Sequence, residues 1–174
     1  MEILPIFEPW LYAFRYENET QDEFERVFEL WSDPMYLEDF FELNKEKLAY
    51  FKTDVITAIH ETRNESETFE SELLEIAETQ EPPLDAMFKN LNDEETRVYE
   101  FSKQKSKRRW LRIYALRIDK NVYVVTGGAI KLTKRMEDGP DTSKELSKLE
   151  KCRNFLNEND VSDIDTFKEL VSKH

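Results

Sequence analysis

Two strand-like runs, Arg108 to Ile118 and Val122 to Lys131, are separated only by Asp119-Lys120-Asn121. A connection that short joins antiparallel strands and nothing else, because a parallel crossover needs a dozen residues or more. A third run, Arg97 to Ser102, lies close enough upstream to add a neighbouring strand. The second half of the chain therefore has to build a sheet, and the remainder has to cover it.

The first half has a different period. Trp10, Tyr12, Phe14 and Tyr16 alternate with Leu11, Ala13 and Arg15, which predicts one half-buried strand. Pro5 and Pro9 place its start at a sheet edge or just before pairing begins. From Gln21 the spacing becomes helical: Phe24, Val27, Phe28 and Trp31 share a face until Asp33-Pro34 interrupts it. Pro34 then suits the first turn of a second helix, which carries Tyr36, Leu37, Phe40 and Phe41 and stops near Asn44-Lys45. A longer helical stretch runs from about Thr53 to Glu78, and its polar middle, Arg63 to Glu67, suggests a break. Glu81-Pro82-Pro83 ends this helical half. Beyond the strands, Leu146, Leu149, Arg153 and Leu156 line up on a closing helix with Asp141 or Thr142 as its cap, and the tail from Asp160 holds one short helix at most.

This order predicts an α+β fold in which an antiparallel sheet of about four strands, one N-terminal and three central, packs against helices. At 174 residues a single domain is expected, divided into an N-terminal strand with helices (1–83), a sheet with its helix (84–156) and a tail (157–174). One cysteine, Cys152, excludes an internal disulfide, and there is neither a leader-like N-terminus nor an apolar run near twenty residues. A soluble cytoplasmic protein without membrane association is the expectation. Two histidines, His60 and His174, are too few and too far apart for a His-based zinc site, so neither metal nor cofactor is expected.

The net charge of -13 conceals opposed blocks. Residues 1–95 carry 26 acidic and 7 basic side chains, residues 96–135 carry 2 and 12, and residues 136–174 carry 10 and 6. The basic block coincides with the predicted hairpin. On its first strand Arg108, Trp110, Arg112 and Tyr114 alternate with Arg109, Leu111, Ile113 and Ala115, so the second set is expected to meet the core. The first set interleaves guanidinium and aromatic groups, a combination suited to holding phosphates and stacking on bases. Lys131, Lys134 and Arg135 are placed to extend that surface. The plainer reading is that these are surface charges that keep the strand soluble or pair with the acidic helices. Gly127-Gly128 lacks the fuller pattern of a phosphate loop and suggests a bulge or close backbone packing. Cys152 reads as a packing residue.

Residues 84–156 resemble the RelE/HigB-like toxins of bacterial type II toxin–antitoxin systems. The likeness is carried by MFKNL (Met87 to Leu91), VYEF (Val98 to Phe101), RIYALRIDKNVYVVTGGAIKLTKR (Arg112 to Arg135) and KELSKLEKCRNFL (Lys144 to Leu156). It implies a RelE-like sheet with an enlarged helical N-terminal half. It also implies a metal-independent endoribonuclease that cuts mRNA on the ribosome and is neutralised by an antitoxin protein. By position, Arg112 matches the strand arginine that offsets phosphate charge, and Lys131 and Lys134 match the basic cluster after the last strand. Glu100 matches a carboxylate that acts as base or as partner of an arginine. Arg108, Arg109, Trp110, Tyr114 and Arg135 would contact RNA. The family's frequent arginine after the glutamate is replaced by Phe101-Ser102, and its C-terminal histidine or tyrosine is missing. Two alternatives stand beside this reading: a non-catalytic RelE-fold module that uses the same face to bind protein or nucleic acid, and a gyrase-directed relative.

Overall fold

The computed structural model describes residues 1–91, 110–133 and 140–173, together with the backbone of 100–105. The fold is α+β. Strands β1 (Glu2–Phe7) and β2 (Leu11–Arg15) precede helices α1 (Glu23–Ser32), α2 (Pro34–Leu43), α3 (Lys45–Leu48), α4 (Val55–Thr79) and α5 (Leu84–Met87). Strands β3 (Lys89–Asn90), β4 (Glu100–Lys105), β5 (Leu111–Asp119) and β6 (Val122–Ile130) follow, then α6 (Pro140–Glu158) and α7 (Ile164–Ser172).

The six strands form one sheet in the order β1-β2-β6-β5-β4-β3. The four expected strands are β2, β4, β5 and β6; the edge strands β1 and two-residue β3 are additions. Pro5 stands inside β1 without disrupting the sheet, because β1 is an edge strand and pairs only with β2. β4, β5 and β6 are antiparallel neighbours, whereas β2 runs parallel to β6 through Leu11↔Tyr123, Tyr12↔Val124 and Ala13↔Val125.

Local signals explain the helix ends. Asp22 caps α1 through the amide of Glu25, Asp33 caps α2 through the amide of Met35, and Asp54 caps α4 through the amide of Thr57. Asn44 terminates α2, and Asp163 and Thr166 form a reciprocal capping box on α7. Two expectations need correction. α4 runs unbroken for 25 residues. Thr62 and Ser66 in its polar middle are buried against the core, while Arg63, Asn64 and Glu67 face solvent, so the polar stretch is amphipathic and needs no interruption. α6 starts at Pro140, one to two residues before the expected cap, because proline is suited to a first helical turn.

The sheet is covered on both faces. On one side α1, α2 and α4 pack Phe24, Val27, Phe28, Trp31, Leu37, Phe41, Phe69 and Leu73 against Leu11, Ala13, Ile113, Ala115 and Val125. On the other, α6 and α7 pack Leu149, Cys152, Leu156 and Phe167 against Tyr12, Phe14, Tyr114, Leu116 and Val124. Two-sided covering explains why Leu11 to Phe14 are all buried instead of alternating between core and water.

One polar knot fixes the hairpin. Asp85 accepts two hydrogen bonds from the Arg117 guanidinium at 3.0 Å each, one from Tyr123 Oη at 2.8 Å and one from the Asn121 amide at 3.1 Å. Its own amide donates to Asn121 Oδ1 at 3.0 Å. Burial pushes the Asp85 carboxyl up, but the bonds from Arg117, Tyr123 and Asn121 outweigh it and hold it below the usual aspartate value. Stability from this group is therefore present above pH 3.8 and lost as pH falls through the lower folded value. Replacing Asp85 with Ala should lower the urea unfolding free energy by about 2–3 kcal/mol, since it removes the carboxylate that accepts from Arg117, Tyr123 and the Asn121 amide together.

Candidate functional site

The basic block of the sequence meets the fold at one end of β5. Cross-strand register sets Lys105 opposite Arg112 and Lys103 opposite Tyr114, while Arg112 lies opposite Ala129 on the other side. Lys131 follows directly after β6, and its amide donates to the Trp110 carbonyl at 2.7 Å. Three basic positions, 105, 112 and 131, thus lie by backbone register at the same end of the β4–β5–β6 unit. Lys103 and Lys105 were not among the residues expected from the sequence; the register of β4 reveals them. A small depression of about 20 Å³, no larger than a water molecule needs, lies beside this end, lined by Phe40 of α2, Asn44, Lys47 of α3, Leu132, Thr133 and Asp141.

Arg112 is half-buried and donates from Nη1 to the Leu111 carbonyl at 2.9 Å. Burial draws its pKa down, opposed by Tyr114 and Glu65. An arginine so placed remains a cation, since its pKa begins far above neutrality.

The remaining expected residues do not assemble as one face. Trp110 and Tyr114 are both 0% exposed. Trp110 belongs to the α2/α4 side, where its indole N–H donates to Thr62 Oγ1 at 3.0 Å and its ring meets Phe41 and Phe51. Tyr114 belongs to the α6 side. Neither presents a surface for base stacking, which corrects their expected role. Glu100 is also displaced from these basic positions: it pairs with Arg117, five residues along β5 from Arg112 and thus roughly 17 Å away at strand spacing. Arg108, Arg109, Lys134 and Arg135 lie outside the described residues.

A second polar group is visible only in three dimensions. β6 continues past the end of its pairing with β2, and a bulge at Thr126 offsets it from β5. Tyr16, just beyond β2, donates from Oη to the Thr126 carbonyl at 2.8 Å and lies 3.2 Å from Cys152 Sγ. Glu23 of α1, 2% exposed, accepts from Arg26 at 2.7 and 2.8 Å and from Lys148 of α6 at 2.9 Å. Glu145 of α6, 5% exposed, pairs with the same Lys148 at 3.2 Å.

Gly127 makes this approach possible. A Cβ at that position would stand 1.9 Å from Glu145 Oε2 and 3.1 Å from Glu23 Oε2. Gly128 is equally constrained, with Val27 Cγ1 at 2.7 Å and the Arg112 carbonyl at 2.9 Å from its missing Cβ. The glycine pair thus serves a bulge and close packing, as its sequence context suggested. Burial raises the Glu145 carboxyl to about 7, with Lys148 opposing and the Glu23 charge reinforcing the rise. Burial likewise pushes the Cys152 thiol up to about 12, so it is a protonated packing group.

The chain matches no protein-family model, no curated protein and no solved structure. Among the described residues no helix is long and apolar enough to cross a membrane.

Proposed function

We propose that this chain is a RelE/HigB-like endoribonuclease that cuts mRNA on the ribosome and is held in check by an antitoxin. The observation that carries the reading is the register that sets Arg112, Lys131 and the Lys105 position at one end of a three-stranded antiparallel unit. The element order supports it: N-terminal strands, helices, a run of antiparallel strands that includes β4, β5 and β6, and the closing helices α6 and α7.

In this reaction the 2′-hydroxyl attacks the adjacent phosphate, the bond to the 5′-oxygen breaks, and negative charge develops on the phosphorane. Arg112 and Lys131 offset that charge, the step in which fixed cations contribute most. Lys134 supplies further positive charge.

The separation of Glu100 from Arg112 and the burial of Trp110 and Tyr114 favour a second reading, in which the cationic end binds RNA or an acidic protein without cutting. One experiment separates the two. Purified protein is added to a translating extract, and message ends are mapped. Cutting at ribosome-occupied codons is expected, reduced about 100-fold or more by Arg112→Ala or Lys131→Ala, the order of loss seen on removing a single charge-stabilising donor. Intact message with salt-sensitive RNA binding leaves the binding reading standing alone. A salt slope that Arg112→Ala does not lower by about one removes RNA from both.

A further inference from the structure

The two halves of α6 are held to the sheet by different means. Leu149, Cys152 and Leu156 anchor the C-terminal half, each 0% exposed in the apolar cluster with Phe14, Tyr114 and Leu116. The N-terminal half has Leu146 only partly buried against that cluster, and its buried residues are Thr142 and Glu145. Its attachment is therefore mainly polar, through Thr142, the Glu145 carboxyl and the Lys148 ammonium that reaches Glu23 of α1.

That carboxyl sits in an unusual position. Oε2 is pressed toward the Gly127 backbone and, among the described residues, has no hydrogen-bond partner. Tyr114 Oη, which senses the Glu145 charge from β5, is buried and equally unpartnered. The groups facing Glu145 are Glu23 and Arg26 from α1, Tyr36 from α2, Tyr16 beyond β2, Tyr114 from β5 and Lys148 from its own helix. Of the two cations, Arg26 is engaged by Glu23 through two hydrogen bonds and Lys148 is shared between both carboxylates. An ionised Glu145 thus has half of one cation and a bare buried oxygen, the arrangement in which burial is most unfavourable. A neutral carboxyl avoids most of that penalty.

We propose that the N-terminal half of α6 is a proton-controlled cover on the sheet face that carries Tyr114, docked while Glu145 is neutral and loosened when it ionises. Loosening takes the carboxylate to water and leaves the apolar anchors at Leu149, Cys152 and Leu156 in place. The Tyr114 ring stays under those anchors, while its buried hydroxyl, beside Glu145 and without a hydrogen-bond partner among the described residues, gains access to water in the loosened state. The inference stands independently of the RNA reading, because it concerns how the face is covered and not what binds there.

The test is hydrogen exchange of the full-length chain at pH 5.5 and 8.5, corrected for intrinsic rates, comparing residues 140–148 with 149–158. Proton linkage to a group near 7 when docked and 4.5 when free predicts that protection of 140–148 falls about 30-fold between these conditions, with 149–158 unchanged. Glu145→Gln should remain protected at both pH values. Gly127→Ala, which displaces the carboxyl from its seat, should exchange fast at pH 5.5 as well. A wild-type change under threefold, a loss shared equally by 149–158, or a pH response that survives in Glu145→Gln overturns the proposal.

Discussion

Trp110→Ala should lower the unfolding free energy by about 3–5 kcal/mol, read from urea or thermal melts. The indole is 0% exposed and wedged between Phe41 and Phe51, at centroid separations of 5.5 and 5.2 Å. Alanine leaves a cavity at the point where α2, α4 and the start of β5 meet, and it deprives buried Thr62 of the indole N–H donor. A domain of ordinary stability, about 5–15 kcal/mol, has little to spare after such a loss. Trp110→Phe keeps most of the volume and should cost about 1–2 kcal/mol, chiefly the hydrogen bond. If Trp110→Ala instead left the melt unchanged and weakened RNA binding, the residue would belong to a stacking surface, the role its alternation with Arg108 and Arg112 suggested.

That contrast shows where sequence periodicity stops being informative. Alternation along Trp110 to Arg117 assigned residues to two faces, and the hairpin, its strands and the helices before it follow from the same patterning. What a period of two does not encode is whether the second face is also covered. Here α6 and α7 return over it, so Tyr114 is as buried as Ile113. Trp110 precedes the first paired residue of β5 and joins Leu111 on the same side of the core, which breaks the alternation at that point.

The cationic end was legible from charge alone, because a basic block in an acidic chain needs no register to be noticed. The place of Glu100 was not. The observed β4 runs to Lys105, three residues beyond the expected end at Ser102, and its register, which no strand boundary encodes, sets Glu100 opposite Arg117 and Lys105 opposite Arg112. The Glu23–Lys148–Glu145 group was hidden for another reason. Glu23 and Lys148 stand 125 residues apart, and each lies in a run of charges that reads as a solvated helix face. Gly127 was the one local hint, since adjacent glycines in a strand signal close approach without naming what approaches.

Stability should fall as pH rises from about 4.5 to 7, and Glu145 is the cause. Its carboxyl titrates near 7 when folded against an ordinary value of 4.5, so between these limits the native state holds a proton that the unfolded chain releases. The stabilisation is complete below 4.5, declines through the interval and is gone above 7, amounting to about 3 kcal/mol. Asp85 works in the opposite sense but in a separate window, below 3.8, so the two slopes do not cancel. Glu145→Gln retains the shape of the neutral carboxyl and abolishes the titration. It should flatten the profile between pH 4.5 and 7 and be more stable than the wild type at pH 8. A wild-type profile already flat across that interval would mean that Lys148 and Arg26 compensate the Glu145 charge in full, and that the carboxylate is at ease beside Gly127.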